Sequence, residues 1–176
     1  MVYRIVKYLN NPILEQQASP VSEFGTTELR EIVDSMFETM YSARGVGLAA
    51  PQVNLGLQLC VIDTTGGEPE EGEVQRKIVL INPQVIHKEG KQTGEEGCLS
   101  IPGFREPVTR AKKAVVRALD VEGNTFEIEG EDLLARAMLH EIDHLNGVLF
   151  LSHLSVLKRD LIKRKIKKLQ KAGEWD

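Results

Sequence analysis

The chain has 176 residues, 41% apolar and 27% charged, with a formal net charge of −4; this ordinary composition excludes a fibrous, collagen-like or disordered chain and predicts a single domain over 1–176. No apolar run approaches the ~20 residues of a membrane span, residues 1–20 carry neither a signal-peptide core nor an Arg-rich transit pattern, and two cysteines, Cys60 and Cys98, cannot build a disulfide framework, so the expectation is a cytoplasmic protein with no membrane partner. Charge is uneven: residues 158–176 hold 8 of the 22 basic and 3 of the 26 acidic residues, making that stretch +5 and residues 1–157 −9, which argues against DNA binding by the body and leaves the tail as a candidate nucleic-acid patch.

Residues 27–44 read as an amphipathic helix with Leu29, Ile32, Val33, Met36, Phe37 and Met40 on one stripe. Thr26 or Thr27 can cap it and Gly45 is placed to stop it. The run Gly45-Val46-Gly47-Leu48-Ala49-Ala50-Pro51-Gln52 then reads as a loop whose backbone comes close to something. Strands are predicted at 57–63, 77–82, 113–121 and 124–129. An exposed Gly-, Pro- and Glu-rich loop, 64–73, separates the first two, and Glu122-Gly123 joins the last two in a tight hairpin. A second helix is predicted over 131–146, with Gly147 after it. A third, 155–171, is expected to bury Leu157, Leu161, Ile162, Ile166 and Leu169 and to expose its lysines. The order helix, strands, helix, helix, without β-α alternation, predicts an α+β fold with antiparallel or mixed sheets. Residues 1–157 would form the core and 158–176 a basic helix and tail.

His140-Glu141-Ile142-Asp143-His144 falls in the second predicted helix. Histidines at i and i+4 share one helix face and can reach one metal ion, with Glu141 beside them. A third ligand is still needed. The residue three after Gly147 is Phe150 rather than histidine, and the later acids are only Asp160, Glu174 and Asp176, which leaves both common protease arrangements short of a ligand. Cys98, in Glu96-Gly97-Cys98-Leu99-Ser100, is the other soft donor; one thiolate and two imidazoles make a site with an open fourth position, the pattern of catalysis rather than structure. Two other readings stand at this point. One is a metallopeptidase with an unrecognised ligand. The other is a non-catalytic metal- or RNA-binding module closed by His87 or His153.

Three motifs in fixed order, GVGLAAPQ at 45–52, EGCLS at 96–100 and HEIDH at 140–144, resemble those of the peptide deformylases, and the similarity runs from Asn11-Pro12 to Leu154. The resemblance implies sheets packed around a central HExxH helix and hydrolysis of the N-formyl group of formyl-methionyl nascent chains. It implies one divalent metal ion on Cys98, His140 and His144: ferrous iron in the cell, with zinc, nickel or cobalt accepted. The metal would lower the pKa of its water. Glu141 would be the general base, and the Gln52 amide with the Leu99 N–H would stabilise the oxyanion. Val46 and Gly97 would pair with the peptide as an added strand, Gly47 would allow its close approach, and Leu133 and Ala137 would line the methionine pocket. Arg105 would support the active-site loop. Arg136 stands where some members carry an aliphatic residue; its stem would pack while its guanidinium reaches outward. The basic helix could hold ribosomal RNA beside the emerging chain.

Overall fold

In the computed structural model, which describes residues 1–176, Thr26 opens the first helix, α1 (Thr27–Ser42). Its hydroxyl accepts the Leu29 N–H, satisfying one of the donors that a helix start leaves free. Leu29, Val33, Met36, Phe37 and Met40 are buried and Ile32 is partly so. The helix stops two residues before the predicted end: Arg44, not Gly45, takes the left-handed conformation at φ 58°, and the Gly45 N–H closes the end on Met40 O.

Seven strands follow: β1 (Gly47–Ala49), β2 (Leu59–Ile62), β3 (Ile78–Glu89), β4 (Gln92–Cys98), β5 (Ile101–Arg110), β6 (Lys113–Leu119) and β7 (Thr125–Glu131). Five form one antiparallel sheet in the order β1-β2-β3-β6-β7, while β4 and β5 pair apart as an antiparallel hairpin. Three features depart from the sequence expectations. The run 45–52, expected to be a loop, holds β1, whose Gly47, Leu48 and Ala49 pair with Ile62, Val61 and Cys60 of β2. β3 runs on to Glu89 because Asn82 (φ 49°) and Pro83 sit at a register irregularity between Ile81 and Gln84, where a missing N–H breaks no ladder bond. The β4–β5 hairpin was not among the predicted strands. Gly94, Gly97, Pro102, Gly103 and Pro107 keep its intrinsic strand preference low, and the ladder from Gln92↔Arg110 to Cys98↔Ile101 overrides it.

The second helix, α2 (Asp132–Leu145), packs across the five-stranded sheet. Alternation along β2 divides the core: Cys60 and Ile62 face Ala135, Met138, Leu139, Ile142 and Leu145 of α2, while Leu59 and Val61 face α1. Gly147 follows α2 at φ 74°, and a Cβ there would lie 2.8 Å from the Glu15 backbone, so the chain passes only as glycine.

The third helix, α3 (Val156–Lys171), is capped by the Ser155 hydroxyl on the Lys158 N–H. It docks by Ile162 and Ile166, with Leu169 partly buried, onto Leu14, Ile101, Val108 and Phe150. Leu157 and Leu161 are 71% and 45% exposed, against the predicted stripe; they lie about 100° or more around the helix from the docked row. No helix is long and apolar enough to cross a membrane.

Candidate functional site

Helix α2 and the end of β4 bring three soft donors together. Cys98 Sγ lies 3.3 Å from His144 Nε2, and His144 Nε2 lies 3.2 Å from His140 Nε2; all three donor atoms fall within 4.8 Å of one another. A tetrahedral ion holds such donors roughly 3.3–3.7 Å apart. His140 Nδ1 is 2.8 Å from Glu96 Oε1. A carboxylate only accepts, so the proton sits on Nδ1 and the Nε2 lone pair is left for coordination. His87 and His153 stand elsewhere: the first is exposed beside Glu89, and the second meets Asp143 at 2.9 Å. Neither closes the cluster.

Glu96 is 5% exposed and carries more than the histidine. Arg110 grips it from Nε to Oε2 at 2.6 Å and from Nη2 to Oε1 at 2.9 Å, and Arg136 Nη1 reaches Oε2 at 2.5 Å. Arg110 Nη1 also donates to Asp143 of α2 at 2.9 Å. The Arg136 guanidinium therefore does not reach outward as expected; it turns inward, tied to Glu96 and to Val108 O at 3.0 Å, because a buried carboxylate and an open carbonyl outbid solvent at that point. Burial alone would raise the Glu96 pKa, but the bonds and charges of His140 and Arg110 draw it well below the usual carboxylate range. Burial opposes charging of His140, yet Cys98, Glu141 and Glu96 around it push its pKa up to about 10. His144 is held well below its ordinary value by burial and by the neighbouring His140 charge. Metal binding must then displace a proton from the cluster.

Glu141 is 2% exposed, and burial pushes its pKa up to about 7 against the charges of His140 and Arg110. Its Oε1 and the Nδ1 of His144 are the two buried side-chain atoms with no hydrogen-bond partner. A Cβ on Gly47 would come within 2.8 Å of Glu141 Oε2, so β1 lies against this carboxylate only as glycine. Gln52 is 1% exposed; its Oε1 accepts the Ala49 N–H at 2.9 Å, which turns Nε2 toward Ser100 Oγ at 3.2 Å and Cys98 Sγ at 3.5 Å. Val46 O accepts the Asp63 N–H, while the Val46 N–H makes no bond within the fold. Gly97 falls at the irregularity of the β4–β5 register.

A cavity of about 760 Å³ opens at this point. Val46, Gly47, Gln52, Gly97, Cys98, Leu99, Arg105, Leu133, Ala137, His140 and Glu141 line it, and of the site residues that the family resemblance implies only the fully buried His144 does not. Leu133 stands half exposed at the mouth, and the exposed Arg105 lies 3.8 Å from Glu95. Sequence reasoning assigned no part to Ser100, Arg110 or Asp143, nor to the Glu96 side chain. Arg110 shares the inward face of β5 with Val108, and that period-2 pattern would have revealed it once the hairpin was recognised.

The polypeptide deformylase family model matches residues 2–160. A peptide deformylase of Acidobacterium capsulatum is 56% identical over 176 residues, covering 99% of both chains, and one of Alkalilimnicola ehrlichii is 48% identical over 93% of this chain and 88% of its own. Among solved structures, the crystal structure of a peptide deformylase from Legionella pneumophila superposes with a TM-score of 0.87 at 44% identity, covering 100% of this chain and 99% of that one. The chain belongs to the peptide deformylase family, enzymes that remove the N-formyl group from nascent polypeptides.

Proposed function

We propose that the cavity is where the formyl group is removed, with Cys98, His140 and His144 as the ligands of one divalent ion. The convergence of a thiol and two imidazole Nε2 atoms within 4.8 Å, from stretches 46 residues apart at the extremes, carries this reading. The donor set suits ferrous iron in the cell and would accept zinc, nickel or cobalt. When bound, the ion supplies Lewis acidity that makes a water nucleophilic near neutral pH and polarises a carbonyl.

The chain's own residues do the rest. Glu141 takes the proton of the attacking water and passes it to the leaving amine, a role that suits a carboxylate buried beside the cluster. The Gln52 amide, oriented by the Ala49 N–H, donates to the developing oxyanion together with the Leu99 N–H. Val46 offers an unused N–H, and Gly97 stands out of register with β5, which supports pairing of the substrate backbone there as an added strand. Gly47 keeps that approach open, Leu133 and Ala137 border the methionine side chain, and Arg105 steadies the loop at the mouth.

We read 1–176 as one domain organised around α2, with 1–157 the catalytic core, acting in the cytoplasm where formylated chains emerge. The exposed Arg164, Lys165 and Lys168 of α3 would hold ribosomal RNA. Replacing all three with Glu lowers ribosome affinity at low salt if they do; unchanged affinity removes that role.

The test of the reaction is formate release from a formyl-methionyl peptide by protein purified without oxygen, its metal content measured on the same sample. Wild type releases formate, and Glu141→Ala retains metal but loses turnover by at least ~100-fold. Metal-loaded, folded wild type that releases none sinks the reading.

A further inference from the structure

The segment after α3 turns back onto the site. Trp175, the single tryptophan of the sequence, is 3% exposed. Its indole Nε1 donates to Tyr8 O at 2.7 Å, and its own carbonyl accepts from Asn10 Nδ2 at 2.7 Å. Gln170 of α3 donates to Asn10 Oδ1 at the same distance. The indole also stands edge-to-face against Phe104, with ring centroids 6.1 Å apart and planes at 69°, a favoured aromatic geometry.

Both of its partners lead to the reacting groups. Phe104 is a wall of the cavity. The Tyr8 N–H donates to Ser100 O at 2.9 Å, one residue after Leu99, and two residues earlier the Val6 N–H donates to Gln52 O at 2.8 Å. A short run of backbone thus fastens together the two loops that carry the proposed oxyanion donors, and the indole locks that run from its outer side. An apolar residue could fill the same volume. An N–H aimed at a buried carbonyl and a ring edge set on a cavity-lining aromatic fix direction as well as volume.

We infer that Trp175 is a positioning residue for substrate binding in deformylation: it sets the Phe104 wall of the substrate cavity. The inference rests on the reading of the cavity as the deformylation site. It also ties the basic helix to the substrate face, since α3 reaches the cavity through Gln170, Asn10 and Trp175. Small displacements of substrate-holding groups carry large kinetic costs, and a cavity wall acts on substrate binding before it acts on the bond that breaks.

The experiment compares kcat and KM for a formyl-methionyl tripeptide in the metal-loaded full chain and in Trp175→Ala, Trp175→Phe and Ile166→Ala. Trp175→Ala raises KM three- to tenfold with kcat within twofold of wild type. Trp175→Phe, which keeps a ring against Phe104, returns KM to within twofold. Ile166→Ala loosens the same apolar cluster away from the cavity and leaves KM unchanged. Because Trp175 is the only tryptophan, its emission reports the same contact without any variant: saturation with the deformylated tripeptide product changes it, and Phe104→Ala abolishes that change. A wild-type KM in Trp175→Ala, an equal rise of KM in Ile166→Ala, or emission that stays fixed as product saturates would each overturn the inference while leaving the activity in place. Absence of formate release by the wild type would instead overturn the reading beneath it.

Discussion

The two halves of the proposed metal site are held by opposite kinds of chemistry. His140 and His144 ride on α2, whose other face is seated by Ala135, Met138, Ile142 and Leu145 on an apolar sheet. Cys98 arrives on the β4–β5 hairpin, which lies outside that sheet and is joined to α2 by buried charge: Glu96 of the hairpin to Arg136 and His140 of the helix, and Arg110 of the hairpin to Asp143. Apolar packing is non-directional and sets how firmly α2 sits. A doubly gripped carboxylate is directional and sets where one side chain points. The hairpin also buries Ile101 and Val108 against α3, but its tie to α2 is set by hydrogen-bond geometry where the helix is set by packing, and the cluster forms where the two meet.

Removing a donor breaks the comparison outright. Cys98→Ala lowers metal affinity by at least ~100-fold, since loss of a mere outer partner already costs 10–100-fold, and metal content after dialysis would show it; full occupancy would strike Cys98 from the ligand set. Glu96→Leu comes next. It leaves Arg110 and Arg136 buried without their carboxylate, at a cost of about 3–5 kcal/mol in urea unfolding, and frees the His140 ring. The triple variant Glu96→Leu, Arg110→Met, Arg136→Met sharpens the point. Apolar groups of similar volume recover most of that stability while metal affinity stays 10–100-fold low. If affinity recovers together with stability, the charges serve only to hold the fold.

On the packed side, Met138→Ala costs roughly 2–4 kcal/mol through the cavity it leaves, yet the protein, while folded, binds one metal ion as before. The smallest effect belongs to a third kind of joint, between α1 and the segment after β2, where Tyr41 Oη donates to Asp63 Oδ2 at 2.6 Å. Burial and that bond push the Tyr41 pKa up to about 12 from 10. The folded state holds the phenol proton more tightly than the unfolded one, so this contribution is complete below pH 10 and is lost as pH rises through 12. The stability difference between wild type and Tyr41→Phe should therefore shrink between pH 9 and pH 12; a constant difference would mean the bond does not titrate with folding.

What the sequence disclosed follows from how local the cause was. The stripe of α1, the turn at Glu122-Gly123 and the i, i+4 histidines of α2 are set by neighbours a few residues away, and periodicity carries such information. The β4–β5 hairpin is set by a partner strand, against residues such as Gly94 and Pro107 that disfavour strands, so no local signal marks it. α3 shows the same limit from the other side. Its apolar residues cover more of the helix than its docking surface uses, and only the presence of Leu14, Ile101 and Phe150 decides that Ile162 and Ile166 go in while Leu157 stays out. Motif order singled out residues that the structure brings together as a thiol, two imidazoles and a cavity lining. It could not place Arg136, whose direction depends on finding Glu96 across a hairpin that the sequence does not announce.

The length of β3 has a consequence for life in a crowded solution. β2 covers β3 only from Ile78 to Ile81, so its last residues, Gln84 to Glu89, pair with β6 on one side and leave their other edge open. An open edge invites strands from other molecules to add to it. Here Pro83 lacks a donor at the start of the overhang, irregularities in pairing at Ile81/Gln84 and Val85/His87 bend its course, and Lys88 and Glu89 put exposed charge along its end. The overhang is built so that a neighbouring molecule finds no straight, uncharged ladder to extend, in a sheet that is closed on neither side.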